Sequence, residues 1–96
     1  MQFPKPHRTV PAADREDVVI AYCPVARRVA TEICRARGAS AADRERATGA
    51  AIQALIAAVA ESAQPKSSRF EALAEARMKL AVTALLDRRD ELKQAA

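Results

Sequence analysis

Cys23, Cys34 and His7 are the side chains of this chain best suited to nucleophilic or metal chemistry. A thiol attacks as thiolate when a base stands beside it, and a structural zinc ion takes about four nitrogen or sulfur ligands. One histidine and two cysteines with no C-x-x-C spacing supply neither arrangement. His7 stands alone in the N-terminal stretch "MQFPKPHRTVPAAD", among Pro4, Pro6 and Pro11. On one helix, the eleven residues from Cys23 to Cys34 span roughly 16 Å, too far for a disulfide. Both cysteines are expected as small core or boundary residues in a reducing compartment.

The carboxylates are scattered, mostly beside a basic neighbour, which is the pattern of a solvated helical face rather than of a general acid–base pair. Gly38 and Gly49 are the only glycines, so no glycine-rich phosphate loop exists. Catalysis and a bound cofactor are therefore not expected. Binding is the remaining class, and basic residues are its candidates. The net charge is +4 with a pI near 9.6. Residues 1–40 hold seven Lys/Arg and four Asp/Glu, residues 41–63 two and three, and residues 64–96 seven and five. This excess permits phosphate contact without requiring it. Arginine pairs such as Arg27–Arg28 more often face solvent. Arg88, Arg89 and Lys93 fall in the last helical turns, where positive charge complements the helix dipole.

The elements that must position these residues are helical. Ninety-six residues allow one domain. Three prolines predict an extended arm over residues 1–13, and the folded domain is expected over 14–96. Asp14 is a candidate N-cap. Val18, Tyr22, Val25, Val29 and Ile33 then recur at helical spacing, and Gly38 supplies a stop. Ser40 and Asp43 resemble a capping box opening a second helix, whose apolar set is Ile52, Leu55, Ile56 and Val59 among alanines. "SAQPKSS" interrupts the pattern at Pro65. Ser67 or Ser68 caps a third helix, Ser68 with Glu71 having the S-x-x-E form. Its buried side is expected to hold Phe70, Leu73, Ala74, Ala81, Leu85 and Leu86. No alternating strand pattern is present.

The fold class that follows is all-α, a bundle of three main helices with the first kinked or broken at Pro24. Short loops predict antiparallel neighbours. The alanine-rich core is thin, so the helices must approach closely. With no signal-peptide h-region and no run of about 18 apolar residues, the chain is expected in the cytoplasm, without a membrane partner.

Two segments carry a resemblance. "YCPVARRVA", residues 22–30, resembles the Y-L-P-L-V-R-R-I-A of region 2 in the sigma-70 family of RNA polymerase initiation factors; Tyr22, Pro24, Val25, Arg27, Arg28 and Ala30 match. Residues 54–87 align without a gap to a second stretch of that pattern. Leu55, Ile56, Ala58, Lys66, Phe70, Glu71, Ala74, Arg77, Lys79 and Ala81 keep residue or character there. Together the likeness covers roughly residues 15–90.

The resemblance implies a helical scaffold in which Pro24 marks a bend between a lead-in helix and the first principal one. It also implies docking on the clamp of the polymerase largest subunit, through the second helix and the basic side of the first. Arg27, Arg28, Arg46 and Gln53 are the implied polymerase contacts; Arg77, Lys79 and Arg88 are the implied DNA contacts near the non-template strand.

The departures are specific. The family's second helix begins D-L-x-Q-x-G, but the aspartate position falls on Arg46 and the glutamine position on Gly49. Leu73 and Ala76 stand where the family has aromatic residues that capture an unstacked base. Such platforms contribute about 1–3 kcal/mol per base, so unaided promoter melting is not expected.

The function implied is a transcription regulator docked on RNA polymerase, a split sigma factor or co-activator. A partner protein would carry the promoter-recognition module, with direct promoter contact left open. The alternatives are a sigma mimic that inhibits transcription or sequesters an anti-sigma factor, and a small helical DNA-binding protein.

Overall fold

The computed structural model describes residues 12–62, 65 and 67–95. They form three helices: α1 Ala12–Ala36, α2 Ala41–Glu61 and α3 Ser68–Ala95. No strand occurs among the described residues.

The start of α1 differs from expectation, and at α3 one of the two expected caps, Ser67, is the one formed. α1 begins at Ala12, so Asp14 sits inside its first turn rather than capping it, where its charge complements the helix dipole. Of the arm expected over residues 1–13, residues 1–11 lie outside the described residues. At α3, the hydroxyl of Ser67 accepts the Phe70 amide at 3.2 Å. Ser67 is therefore the cap, and Ser68 is the first helical residue rather than the start of a Ser68–Glu71 box.

α1 runs helical through Pro24 without a break. Pro24 deprives the Ile20 carbonyl of its intrahelical donor. Pro24 and Ile20 are both exposed, so water can take the donor's place at the surface.

The α1–α2 connection is set by local chemistry. Gly38 has φ +64°, and the Ala39 amide donates back to the Cys34 carbonyl at 2.8 Å while the Gly38 amide donates to Arg35 at 3.3 Å. This is a Schellman ending, in which glycine takes the left-handed position without a Cβ penalty. The Ser40 hydroxyl then accepts the Asp43 amide at 3.1 Å, and the Asp43 carboxylate accepts the Ser40 amide at 3.4 Å. The predicted capping box is formed.

Cross-helix contacts fix an up–down–up order. Tyr22 meets Phe70, and Arg37 reaches Asp87 and Asp90, so α1 and α3 run parallel. Asp43 meets Arg89 and Glu61 meets Arg77, so α2 runs against α3.

The core is thin, as the composition requires. Ala26, Ala30, Ala47, Ala51 and Ala74 are fully buried alongside Val29, Cys34, Leu55, Met78, Val82 and Leu86. Small side chains at these positions let the helix axes approach. Leu73 and Ile56, expected in the core, are both 45% exposed, and Ala81, expected on the buried side of α3, is only half-buried. On α3 the buried line runs Phe70, Ala74, Met78, Val82, Leu86, a spacing of four throughout, which leaves Leu73 one step outside. Pro65, in the α2–α3 connection, is buried and lies beside Val18, Ala21 and Tyr22.

Candidate docking surface

The basic residues divide into those paired with carboxylates of the same chain and those left to solvent. Arg28 projects toward α3, where it donates to Glu75, and also holds Glu32 of its own helix at 3.0 Å. Lys79 approaches the same Glu75 at 3.6 Å. The two cations keep the Glu75 carboxyl below the usual glutamate range, chiefly through the hydrogen bond from Arg28. Arg77 donates to Glu61 at 2.8 Å, and this bond holds Glu61 below its ordinary value. Three of the seven predicted contact residues, Arg28, Arg77 and Lys79, are therefore engaged by carboxylates of the same chain.

Arg27, next to Arg28 in sequence, faces a different neighbour. It shares a shallow depression between α1 and α2 with Thr31, Arg44, Glu45 and Thr48. Consecutive helical residues point about 100° apart, so one arginine pair serves two interfaces.

Arg46 and Gln53 lie seven residues apart on α2, about two turns, and are both exposed on one side. Arg46 lines a groove between α2 and α3 with Arg88, Lys93, Leu85 and Leu92. The groove continues past Ala50, Ala81 and Ala84. The expected polymerase contact Arg46 and the expected DNA contact Arg88 thus border one surface. Arg27 and Arg28 do not join it.

Beneath the groove lies the feature that no sequence pattern indicated. Arg89 donates to Asp43 at 2.6 Å and to Asp90 at 2.7 Å. Arg37, just after α1, donates to Asp87 at 2.7 Å and to Asp90 at 2.6 Å. The run Asp87–Arg37–Asp90–Arg89–Asp43 joins the end of α1, the start of α2 and the last turns of α3. The hydrogen bond from Arg89 is the main cause holding the Asp43 carboxyl below the usual aspartate range, and Asp90 is lowered by Arg89 and Arg37. The expected role of Arg89, complementing the helix dipole beside Arg88 and Lys93, misses this: all three line the groove, but the Arg89 guanidinium is engaged by Asp43 and Asp90.

The thiols behave as small apolar groups. Cys34 is buried and Cys23 half-buried. Burial first, then the nearby Asp43 charge, pushes the Cys34 thiol up, which lowers its thiolate fraction. Among the described residues no group of three or more His, Cys, Asp or Glu is placed to hold a metal ion, and His7 lies outside them. No described helix is long and apolar enough to cross a membrane.

Phe70 is buried and meets Tyr22 edge to face, with ring centroids 5.8 Å apart and planes at 68°. Leu73 and Ala76 are exposed aliphatic positions on the same helix. The outer face of α3 near its start therefore offers no aromatic platform at these two positions. Compared with family models, with curated proteins and with solved structures, the chain finds no match.

Proposed function

We propose that this chain is a binding module of transcription: a regulator that docks on RNA polymerase as a diverged sigma region-2-like domain, with a partner protein supplying promoter recognition. The observation that carries the reading is the meeting of the two segments that resemble region 2. Tyr22 of the first packs on Phe70 of the second, and Arg28 of the first binds Glu75 of the second. Residues that look related in the linear pattern thus form one packed unit, on which a shared docking surface can be presented.

The docking face is the outer side of α2, with Arg46 and Gln53, flanked by Arg27 on α1. Arg28 acts mainly as a strut between α1 and α3. Arg77 and Lys79 reach promoter phosphates only by exchanging their carboxylate partners, a rearrangement that exposed ion pairs of this kind permit at low cost. Arg88 is the more available cation of the three.

A second reading is favoured by the aliphatic Leu73 and Ala76 together with the internal pairing of Arg77 and Lys79. These features suit a sigma mimic that occupies the polymerase clamp, or an anti-sigma factor, without opening DNA.

Capture from a host lysate tests both. The tagged chain should retain polymerase subunits, and promoter-directed transcription with purified polymerase should rise under the first reading and fall under the second. Retention of neither polymerase nor an anti-sigma factor would remove the transcription reading. In the transcription assay, Arg77→Ala with Lys79→Ala should lower output severalfold if these residues reach DNA; unchanged output would end that role.

A further inference from the structure

The α2–α3 groove carries a charge imbalance that the bundle itself does not settle. Its rim holds Arg46 from α2 and Arg88 and Lys93 from α3. The one carboxylate that lines it among the described residues, Asp43, is engaged by Arg89 at 2.6 Å and by the Ser40 cap. Arg46 comes no nearer to Asp43 than 4.0 Å, and no ion pair holds Arg88 or Lys93 among the described residues. Asp90, the next acid along α3, is shared between Arg89 and Arg37.

Between these cations the surface is apolar. Leu85 and Leu92 form the floor at the charged end, and Leu92 is 66% exposed. Ala50, Ala81 and Ala84 continue the floor toward the middle of the bundle. Alanines on two neighbouring helices leave a shallow trough, and a third helix can lie closer there than over larger residues.

We infer that this groove is a docking site for an acidic amphipathic helix of another protein. Aliphatic side chains at i, i+3 or i+4 and i+7 of that helix cover Leu92, Leu85 and the alanine trough, as in other helix-in-groove complexes. Asp or Glu residues on its two flanks meet Arg46 on one side and Arg88 and Lys93 on the other. The complementary charge steers association and fixes direction, while the apolar floor supplies most of the binding free energy. A phosphate backbone would satisfy the cations but would leave the leucines without an apolar partner, so the floor selects a peptide over nucleic acid. The inference shares Arg46 and Arg88 with the polymerase reading but does not depend on it, because the occupant is defined by the groove's chemistry alone.

The test uses the full chain and a synthetic, fluorescently labelled peptide of about four helical turns, with leucines at helical spacing and glutamates on both flanks. Its controls are the same peptide with lysine for glutamate, and a labelled DNA duplex. The acidic peptide should bind, with affinity falling as salt rises, and backbone NMR shifts should concentrate on α2 and α3 around Arg46, Leu85 and Leu92. Arg88→Glu and Leu92→Glu, both exposed and each checked for native helicity, should each weaken binding about tenfold or more, whereas Arg44→Glu on the α1–α2 side should change it less than twofold. Absence of binding, equal binding of the lysine peptide, or shifts on the α1–α2 side would overturn the inference. So would DNA binding that is tighter than peptide binding and is lost in Arg88→Glu. Each of these outcomes leaves polymerase capture untouched, and a failed capture leaves the peptide result standing.

Discussion

Arg89 donates to Asp43 across 2.6 Å, joining the last turns of α3 to the first turn of α2. Asp43 is 8% exposed and also closes the α2 capping box. One carboxylate therefore completes a helix start and a tertiary contact at once. Removing Arg89 leaves the nearly buried Asp43 carboxylate without its closest cation, whereas removing Asp43 leaves Arg89 with Asp90 alone.

The pH response of this pair has a definite sign. Asp43 and Asp90 are both held below the ordinary aspartate range by their arginines. Carboxylates depressed in the folded state stabilise it above their unfolded pKa, about 4, and that contribution is lost as pH falls through the folded values. The melting temperature should be nearly level from pH 7 to about 5 and should drop below about 4. Asp43→Asn keeps the cap geometry but removes the charge; it should lower stability at pH 7 and flatten the acid-side slope. An unchanged slope in thermal melts would show that Arg89 contributes nothing through Asp43.

Pro24 sits in the interior of an unbroken helix. Pro24→Ala restores the missing donor to Ile20 at an exposed position, and should stabilise the fold by roughly 1–3 kcal/mol. Chemical denaturation measures it. A loss of stability would mean that the proline sets a helix geometry on which packing depends.

The two glycines should respond in opposite directions. A Cβ meets nothing within 4 Å at either position, so backbone conformation decides. Gly38→Ala forces a left-handed φ on alanine and should cost about 1 kcal/mol. Gly49→Ala, inside α2, should gain about 1 kcal/mol from helix propensity. Equal changes in the denaturation midpoint would refute the Schellman ending.

Thiol labelling should separate the cysteines. Half-buried Cys23 should react with an alkylating reagent well before buried Cys34, whose thiol is pushed up by burial. Mass spectrometry of the time course reads the order. Equal rates would mean that α1 leaves the core readily.

Much of the architecture could be read from local spacing. Ser40 and Asp43 announced a helix start three residues apart, and Gly38 a stop, because caps are built from neighbouring backbone groups. The period of Val18, Tyr22 and Val29 gave the buried side of α1, though it passed over Ala26 and Ala30, which are fully buried. Alanine has little hydrophobicity to register in a periodic pattern, yet it occupies the closest helix contacts. Leu73 and Ile56 misled for the opposite reason: both are strongly apolar and both lie one step beyond the buried line.

The candidate surface was less legible. Arg27, Arg28, Arg46, Arg77, Lys79 and Arg88 are equivalent cations on a linear reading. Only packing sorts them, since the partners are distant in sequence: 47 residues for Arg28 with Glu75, 16 for Arg77 with Glu61, and 46 for Arg89 with Asp43. Sequence alone determined that the chain makes three helices, where two of them are capped, and that alanine must line the core. Those outcomes depend on interactions within about one helical turn. The tertiary structure decided which charges are quenched and which remain on a groove between α2 and α3, because an ion pair depends on distance in space, and folding brings remote residues within that distance.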